Sequence, residues 1–125
     1  MIIPIYAALF GLLFVGLSVR TLLIRRRKGI AIGTADDEQM VRAMRVHSSF
    51  AEYVPLALIL IYLLEIQGAS AFAIHALCVA LLLGRSIHAY GVSQTNENFR
   101  FRVAGMFLTL GCIISASVRL LASYL

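Results

Sequence analysis

The stretch that decides the fold is residues 42–64, which read RAMRVHSSFAEYVPLALILIYLL. Its first half is basic and polar and its second half is apolar, with no turn residue between them. As a helix that rotates by about 100° per residue, it places five polar side chains within one arc of roughly 100°. These side chains are Arg42, Arg45, Ser49, Glu52 and Tyr53. One helix therefore carries polar and charged groups directly into a hydrophobic layer.

The composition of the whole chain is that of a membrane protein. Of its 125 residues, 61% are apolar and only 14% are charged, and the mean hydropathy is +0.90. Soluble domains contain about 45–50% apolar and about 25% charged residues. The net charge of +5 does not indicate nucleic-acid binding, because the basic residues punctuate apolar spans, as charges that orient a chain in a bilayer do. We expect an integral membrane protein with no nucleic-acid partner.

Four apolar spans predict an all-α transmembrane four-helix bundle, in a single domain that covers residues 1–125. The helices are expected at about 2–24, 35–66, 70–91 and 99–124. Of the eleven Lys and Arg residues, all but Arg119 fall in one half of the layout. By the positive-inside rule, both termini then lie outside the cytoplasm. No positively charged region precedes the first span, so we expect it to remain as a membrane anchor and not to be cleaved.

Local patterns add detail to this layout. Residues 34–37 form a capping-box pattern, which places the start of the second helix near residue 35. The pairs Ala7–Gly11 and Gly111–Ser115 have the small-xxx-small spacing that favours close helix contact in lipid. At the outer end, Glu65 lies at about the level of Arg119, so the two are candidates for an ion pair of small energetic value.

A carboxylate inside the hydrocarbon layer costs about a few kcal/mol unless it has a partner. Glu52 lies fifteen residues before Gln67, and Arg85 lies fifteen residues after Ser70. On antiparallel helices both are therefore roughly 22 Å from the outer turn. We predict that Glu52 and Arg85 neutralise each other, within one chain or across an interface. The alternative is that the pair only fixes the register of the helices.

Cations collect at the predicted cytoplasmic end, where they would repel each other unless an anion lay among them. They include Arg42, Arg45, Arg85, His88, Arg100, Arg102 and the cluster Arg25–Lys28. The cluster Arg25–Lys28 fits contact with the anionic headgroups of membrane lipids. Arg42, Arg45 and Arg85 share helix faces with Ser49, Glu52 and His88. These residues favour a pocket for a small polyanion. No metal-binding motif is present, and both cysteines lie in apolar runs, as expected for small buried side chains.

These residues resemble a known family pattern. The pattern is Arg42-x-x-Arg45-x-His47-x-Ser49-x-x-Glu52-Tyr53-x-Pro55, followed by Arg85-x-x-His88 and a basic start to the fourth helix. It is similar to that of the MAPEG family, the membrane-associated proteins of eicosanoid and glutathione metabolism, and closest to their small bacterial branch. The resemblance implies a homotrimer in the inner membrane. It also implies that glutathione binds between neighbouring subunits, near the cytoplasmic face.

The resemblance further implies roles for individual residues. Those carried over by position as glutathione-binding are Arg42, Arg45, Ser49, Glu52, Tyr53, Arg85 and His88. Among them, Arg45 and Glu52 would hold the charged ends of glutathione. Arg102 or Arg100, at the start of the fourth helix, would hold the thiol as a thiolate, which is its nucleophilic form.

Two departures from the family pattern bear on activity. The family's asparagine is Ser49 here, which lacks the two donors of the amide, and a tyrosine of several members is Val92, which has no side-chain hydrogen bond to offer. The leading hypothesis is a glutathione-dependent transferase or peroxidase that acts on a lipophilic small molecule. One alternative is a non-catalytic membrane protein that binds anionic lipid or scaffolds a partner. The other is a small transporter that uses Glu52 and Arg85 as its coupling site.

Overall fold

The computed structural model describes all 125 residues, most of which lie in four α-helices. Helix α1 is Ile3–Lys28, α2 is Glu38–Ile66, α3 is Ala71–Ser93 and α4 is Phe99–Tyr124. Each helix is long and apolar enough to cross a bilayer, and short connections make successive helices antiparallel. The predicted all-α four-helix bundle is confirmed. We call the end with connections 29–37 and 94–98 the basic end.

Helix α2 is the central helix of the bundle. It packs against all three others, whereas α1 touches α3 only slightly and does not contact α4. The main core contains twelve buried side chains: Ile3, Phe10, Phe50, Val54, Ala57, Ile61, Leu64, Ile74, Cys78, Leu81, Cys112 and Ala116. Most of these residues lie in the half away from the basic end. A smaller apolar cluster, formed by Ile24, Ile30, Met40 and Ala43, lies at the basic end.

Helices α3 and α4 make the most extensive contact in the bundle, because glycines line their crossing. A Cβ added at Gly105 would lie 2.6 Å from the carbonyl oxygen of Gly84 and 2.7 Å from the backbone nitrogen of His88. The glycines of the predicted small-residue pairs, Gly11 and Gly111, do not lie at a close helix contact within the chain. Around Gly11 and Gly111, no atom lies within 4 Å of an added Cβ. The close approach therefore involves different glycines from those predicted.

The connection between α1 and α2 differs from the predicted capping box. Helix α2 begins three residues later than expected, because Ala35 and Asp36 have positive φ angles of 50° and 57°. Its N-cap is Asp37, whose carboxylate accepts a hydrogen bond from the N–H of Met40 at 2.9 Å. Hydrogen bonds from Lys28 and from Met40 lower the pKa of Asp37 below its ordinary value of 3.8. The cap therefore contributes fully above that pH, and its contribution is lost as the pH falls through the lowered value.

Helices α1 and α3 both extend past their expected ends. Helix α1 continues beyond residue 24 to Lys28, because cations complement the negative end of the helix dipole. Helix α3 continues past Gly91 to Ser93, whose hydroxyl donates to the carbonyl of Ala89 at 2.6 Å. A Cβ at Gly91 would lie 2.6 Å from the Cβ of Phe101 in α4. This glycine is thus a packing residue and not a helix cap.

At the end opposite the basic end, Glu65 of α2 binds the start of α1. Its two carboxylate oxygens accept hydrogen bonds from the backbone N–H groups of Ile2 and Ile3, at 2.6 Å and 3.0 Å. A carboxylate in this position satisfies two amides that a helix start leaves free, and it complements the helix dipole. Glu65 therefore joins α1 to α2, and the ion pair considered for it with Arg119 does not form.

Candidate functional site

Arg85 of α3 is the only arginine fully buried in the bundle, with 3% of its surface exposed. Its Nε donates to the hydroxyl of Thr109 at 3.0 Å, and its Nη1 donates to the hydroxyl of Ser49 at 2.9 Å. Its Nη2 donates to the sulfur of Met106 at 3.2 Å. The guanidinium carbon lies 5.5 Å from the ring centroid of Tyr53, a cation–π distance. Arg85 therefore joins α2, α3 and α4 through neutral groups alone.

The predicted pair of Glu52 and Arg85 does not form within the chain. The ionic partner of Glu52 is Arg45, with 3.6 Å between Oε1 and Nη1, and these two side chains are 51% and 55% exposed. The form of the prediction in which the pair lies within one chain is wrong, because equal depth does not fix the direction in which a side chain points. Glu52 points away from the bundle, whereas Arg85 points into it. A pair formed across an interface between two copies stays a prediction.

A second polar group surrounds Glu97, in the connection between α3 and α4. The side chain of Glu97 is only 6% exposed. Its oxygens accept hydrogen bonds from Nε and Nη2 of Arg102, at 2.8 Å and 3.1 Å, and from Nη1 of Arg42 at 3.2 Å. The same Nη1 of Arg42 donates to the carbonyl of Val92 at 3.0 Å. We call Arg42, Glu97 and Arg102 the Glu97 cluster; it joins the start of α2 to the start of α4.

The two remaining predicted site residues differ in burial. His88 is 5% exposed and lies where α3 crosses Gly105. Arg100 is exposed and forms no ion pair, and its backbone N–H donates to the side chain of Asn98 at 3.0 Å. The predicted residues therefore occupy three places: Ser49, Tyr53, Arg85 and His88 inside the bundle; Arg42 and Arg102 around Glu97; and Arg45, Glu52 and Arg100 on the surface.

Two residues of this arrangement were not among those predicted from the sequence. Glu97 is the only acid after Glu65 and lies five residues before Arg102, so its isolation among cations was a usable signal. Thr109 lies ten residues after the start of α4, and Arg85 lies eight residues before the end of α3. Counting depth on α4 as well would therefore have placed Thr109 at about the level of Arg85.

An apolar cavity of about 520 Å³ separates α1 from α3. Apolar side chains of three helices form its walls, and Arg85 contributes to one side. One hydrogen bond between α1 and α3 lies beyond each end of the cavity. Tyr6 Oη and His75 Nδ1 are 2.8 Å apart, and Arg20 Nη1 donates to Ser93 Oγ at 3.0 Å. A polar contact between α1 and α3 therefore lies beyond each end of the cavity.

The chain matches the model of the MAPEG family over residues 3–122. It is 32% identical over 109 residues to the inner membrane protein YecN of Escherichia coli K12, which is 87% of this chain and 82% of that protein. YecN of Escherichia coli O6:H1 matches to the same extent. No solved structure matches the chain significantly. With its four membrane-length helices, the chain is a multi-pass protein of the inner membrane.

Proposed function

Because this chain belongs to the MAPEG family, we propose that it binds glutathione and acts as a glutathione-dependent transferase or peroxidase on a lipophilic electrophile. The observation that supports this best is Arg85, a buried cation whose partners are all neutral. A buried charge is costly unless an opposite charge lies near it. Glutathione carries two carboxylates and an ionisable thiol, so it can supply the missing negative charge at the basic end.

The surface pair of Arg45 and Glu52 supports recognition of a zwitterionic ligand. At 3.6 Å the pair is loose, and both side chains are about half exposed. Each can therefore turn toward a ligand, the guanidinium toward a carboxylate and the carboxylate toward an ammonium group. The γ-glutamyl end of glutathione presents both of these groups on one carbon atom.

The same pair supports assembly with further copies of the chain. Glu52 lies roughly 22 Å along α2 from the turn at Gln67, which is within the hydrocarbon layer. The pairing with Arg45 reduces the cost of this carboxylate only in part, because at 3.6 Å the ion pair is loose and both side chains would still face lipid at this depth. A neighbouring copy that covered this face of α2 would remove the cost and would complete the site. We infer a homotrimer, the assembly that the family resemblance implies.

The cavity between α1 and α3 supports a lipophilic second substrate. Its volume of about 520 Å³ lies within the usual range for small-molecule sites, about 300–1,000 Å³. Its walls are apolar, and Arg85 lies at one side. A molecule that partitions into the bilayer would thus reach the neighbourhood of the proposed glutathione site without leaving an apolar environment.

Arg102 and Arg100 are the candidates for holding the thiol as a thiolate. Lowering the pKa of a free thiol from about 8.5 to about 6.5 requires roughly 2.7 kcal/mol of differential stabilisation. A nearby guanidinium at low dielectric can provide this. In the structure Arg102 is bound to Glu97, whereas Arg100 has no ionic partner.

Titration of the purified protein with glutathione, followed by thiolate absorbance, tests the proposed function. We expect saturable binding with thiolate formation, and loss of the thiolate signal in Arg100→Ala or in Arg102→Ala. Arg26→Ala is the control, because Arg26 is an exposed arginine of the same end. A wild-type protein that bound no glutathione at millimolar concentration would overturn the proposal.

A non-catalytic role is the second candidate, and Glu97 is the observation that favours it. Since Glu97 forms ion pairs with both Arg42 and Arg102 and offsets one of their two positive charges, less cationic charge is free for a tripeptide. The segment Arg25–Lys28 would still attract anionic headgroups. The chain would then bind anionic lipid or scaffold a partner protein. Glutathione binding without thiolate formation would favour this role over catalysis.

A further inference from the structure

We propose, building on the glutathione site proposed above, that Arg42 and Arg102 form a carboxylate-binding subsite that the chain's own Glu97 fills. An acidic ligand then binds by displacing Glu97. The subsite takes one carboxylate of the ligand, and Arg102 contacts that carboxylate and not the thiol.

The geometry of the Glu97 cluster is that of a carboxylate receptor. Arg102 donates from Nε to one oxygen at 2.8 Å and from Nη2 to the other at 3.1 Å. This two-point arrangement matches the shape of a carboxylate group. Arg42 adds a third donor at 3.2 Å, from a different helix. Both arginines lie on helices, α2 and α4, so the donors keep their positions when the acid between them changes.

Glu97 is the only member of the cluster that lies outside a helix, so it is the one that a ligand can displace. It lies in the short connection 94–98, between the end of α3 and the start of α4. No backbone hydrogen bond involves residues 95–97, so the backbone of this part of the chain is not held in place as it is in the helices. A rearrangement of the connection can therefore move the Glu97 carboxylate away from Arg42 and Arg102 while α2 and α4 stay in place.

If Glu97 is displaced in this way, the two arginines of α4 bind different groups of the ligand. The guanidinium of Arg102 is paired with a carboxylate in either state, first with Glu97 and then with the ligand. Its positive charge is therefore less able to stabilise a thiolate. Arg100, two residues earlier in α4, is exposed and has no ionic partner. The structure therefore assigns the thiolate to Arg100 and the carboxylate to Arg102.

The test compares Glu97→Gln with a matched control, Glu38→Gln. Glu38 also contacts Arg42, at 3.2 Å, but does not contact Arg102. One measurement is glutathione affinity, and the other is the reactivity of individual arginines toward phenylglyoxal, mapped by mass spectrometry without any ligand. In Glu97→Gln we expect glutathione to bind about tenfold more tightly, equivalent to about 1.4 kcal/mol. We also expect Arg102 to become as reactive as Arg100. In Glu38→Gln both quantities should equal those of the wild type.

If both proteins bind glutathione, equal affinity in Glu97→Gln and wild type would overturn the proposal. So would a wild-type Arg102 that already reacts as fast as Arg100. If neither protein binds glutathione but Arg102 becomes reactive only in Glu97→Gln, the subsite is supported and the glutathione function fails. Circular dichroism checks that the helices are retained. Glu97→Asp, which keeps the charge but shortens its reach, is the second variant and should raise both quantities to a smaller extent.

Discussion

Inside the bundle, hydroxyl groups of two other helices accept the hydrogen bonds of Arg85. Ser49 stands where the family pattern has asparagine, and from the sequence alone it reads as a weakened contact for a ligand. In the structure its hydroxyl lies 2.9 Å from a nitrogen of Arg85, and Ser49 is 1% exposed. The serine is therefore an internal partner of Arg85, whatever else binds nearby.

Replacing Ser49 with alanine should destabilise the protein by about 1–3 kcal/mol, because one N–H group of a buried guanidinium would lose its acceptor. The neighbouring Ser48 is half-buried on the same helix and makes no side-chain hydrogen bond, so Ser48→Ala should change stability by less than about 0.5 kcal/mol. Equilibrium unfolding in detergent, followed by circular dichroism, measures both. Equal stability of the two variants would show that the hydroxyl does not support Arg85.

Depth along a helix could be predicted from the sequence, whereas direction could not. The rise per residue is fixed and the turn between α2 and α3 is short, so Glu52 and Arg85 were placed at one level. Ser49 and Glu52 are separated by only about 60° around the helix axis. Yet one is buried and the other is about half exposed, because the positions of neighbouring helices decide which way is inward.

At the scale of the helices, the crossing of α3 and α4 depends on the absence of side chains at particular positions. Gly84 and Gly105 face each other so closely that a methyl group at either would meet the backbone of the other. Glycines in apolar helices look alike in the sequence. Which of them lie at a crossing depends on which helices are neighbours, and that is why the sequence did not single out Gly84 and Gly105 for the contact between α3 and α4.

Gly105→Ala should destabilise the bundle by about 1–3 kcal/mol or more, because its methyl group would lie 2.6 Å from the carbonyl oxygen of Gly84. Gly111→Ala, on the same helix, has no atom within 4 Å of the new methyl group. It should be neutral or stabilise the protein by up to about 1 kcal/mol, since alanine favours helix. Thermal unfolding of both variants measures the difference. An unchanged melting temperature in Gly105→Ala would contradict the close packing of α3 against α4 at this glycine.

At the scale of the whole molecule, the distribution of charge sets the orientation in the membrane. Ten of the eleven Lys and Arg residues lie toward the basic end, where they collect around two connections. The number and order of helices could be predicted because each is a long apolar span. The Glu97 cluster could not, because it joins residues 42, 97 and 102, which are brought together only when the helices pack.

Reporter fusions should locate the basic end in the cytoplasm and both termini on the other side, as the positive-inside rule requires. Alkaline phosphatase fused after Leu125 should be active, and a fluorescent protein fused there should be dark. The same two reporters placed within the connection 29–37 should give the reverse result. Fluorescence from the fusion after Leu125 would contradict this orientation.

The hydrogen bonds Tyr6–His75 and Arg20–Ser93 affect the direction from which a small molecule can enter the cavity between α1 and α3. They join α1 to α3 beyond each end of the cavity, and between these two contacts the helices make few others. We therefore expect a molecule to enter sideways, from the surrounding acyl chains, more readily than along the helix axes. Compact or bent molecules would therefore be admitted faster than straight ones of equal hydrophobicity.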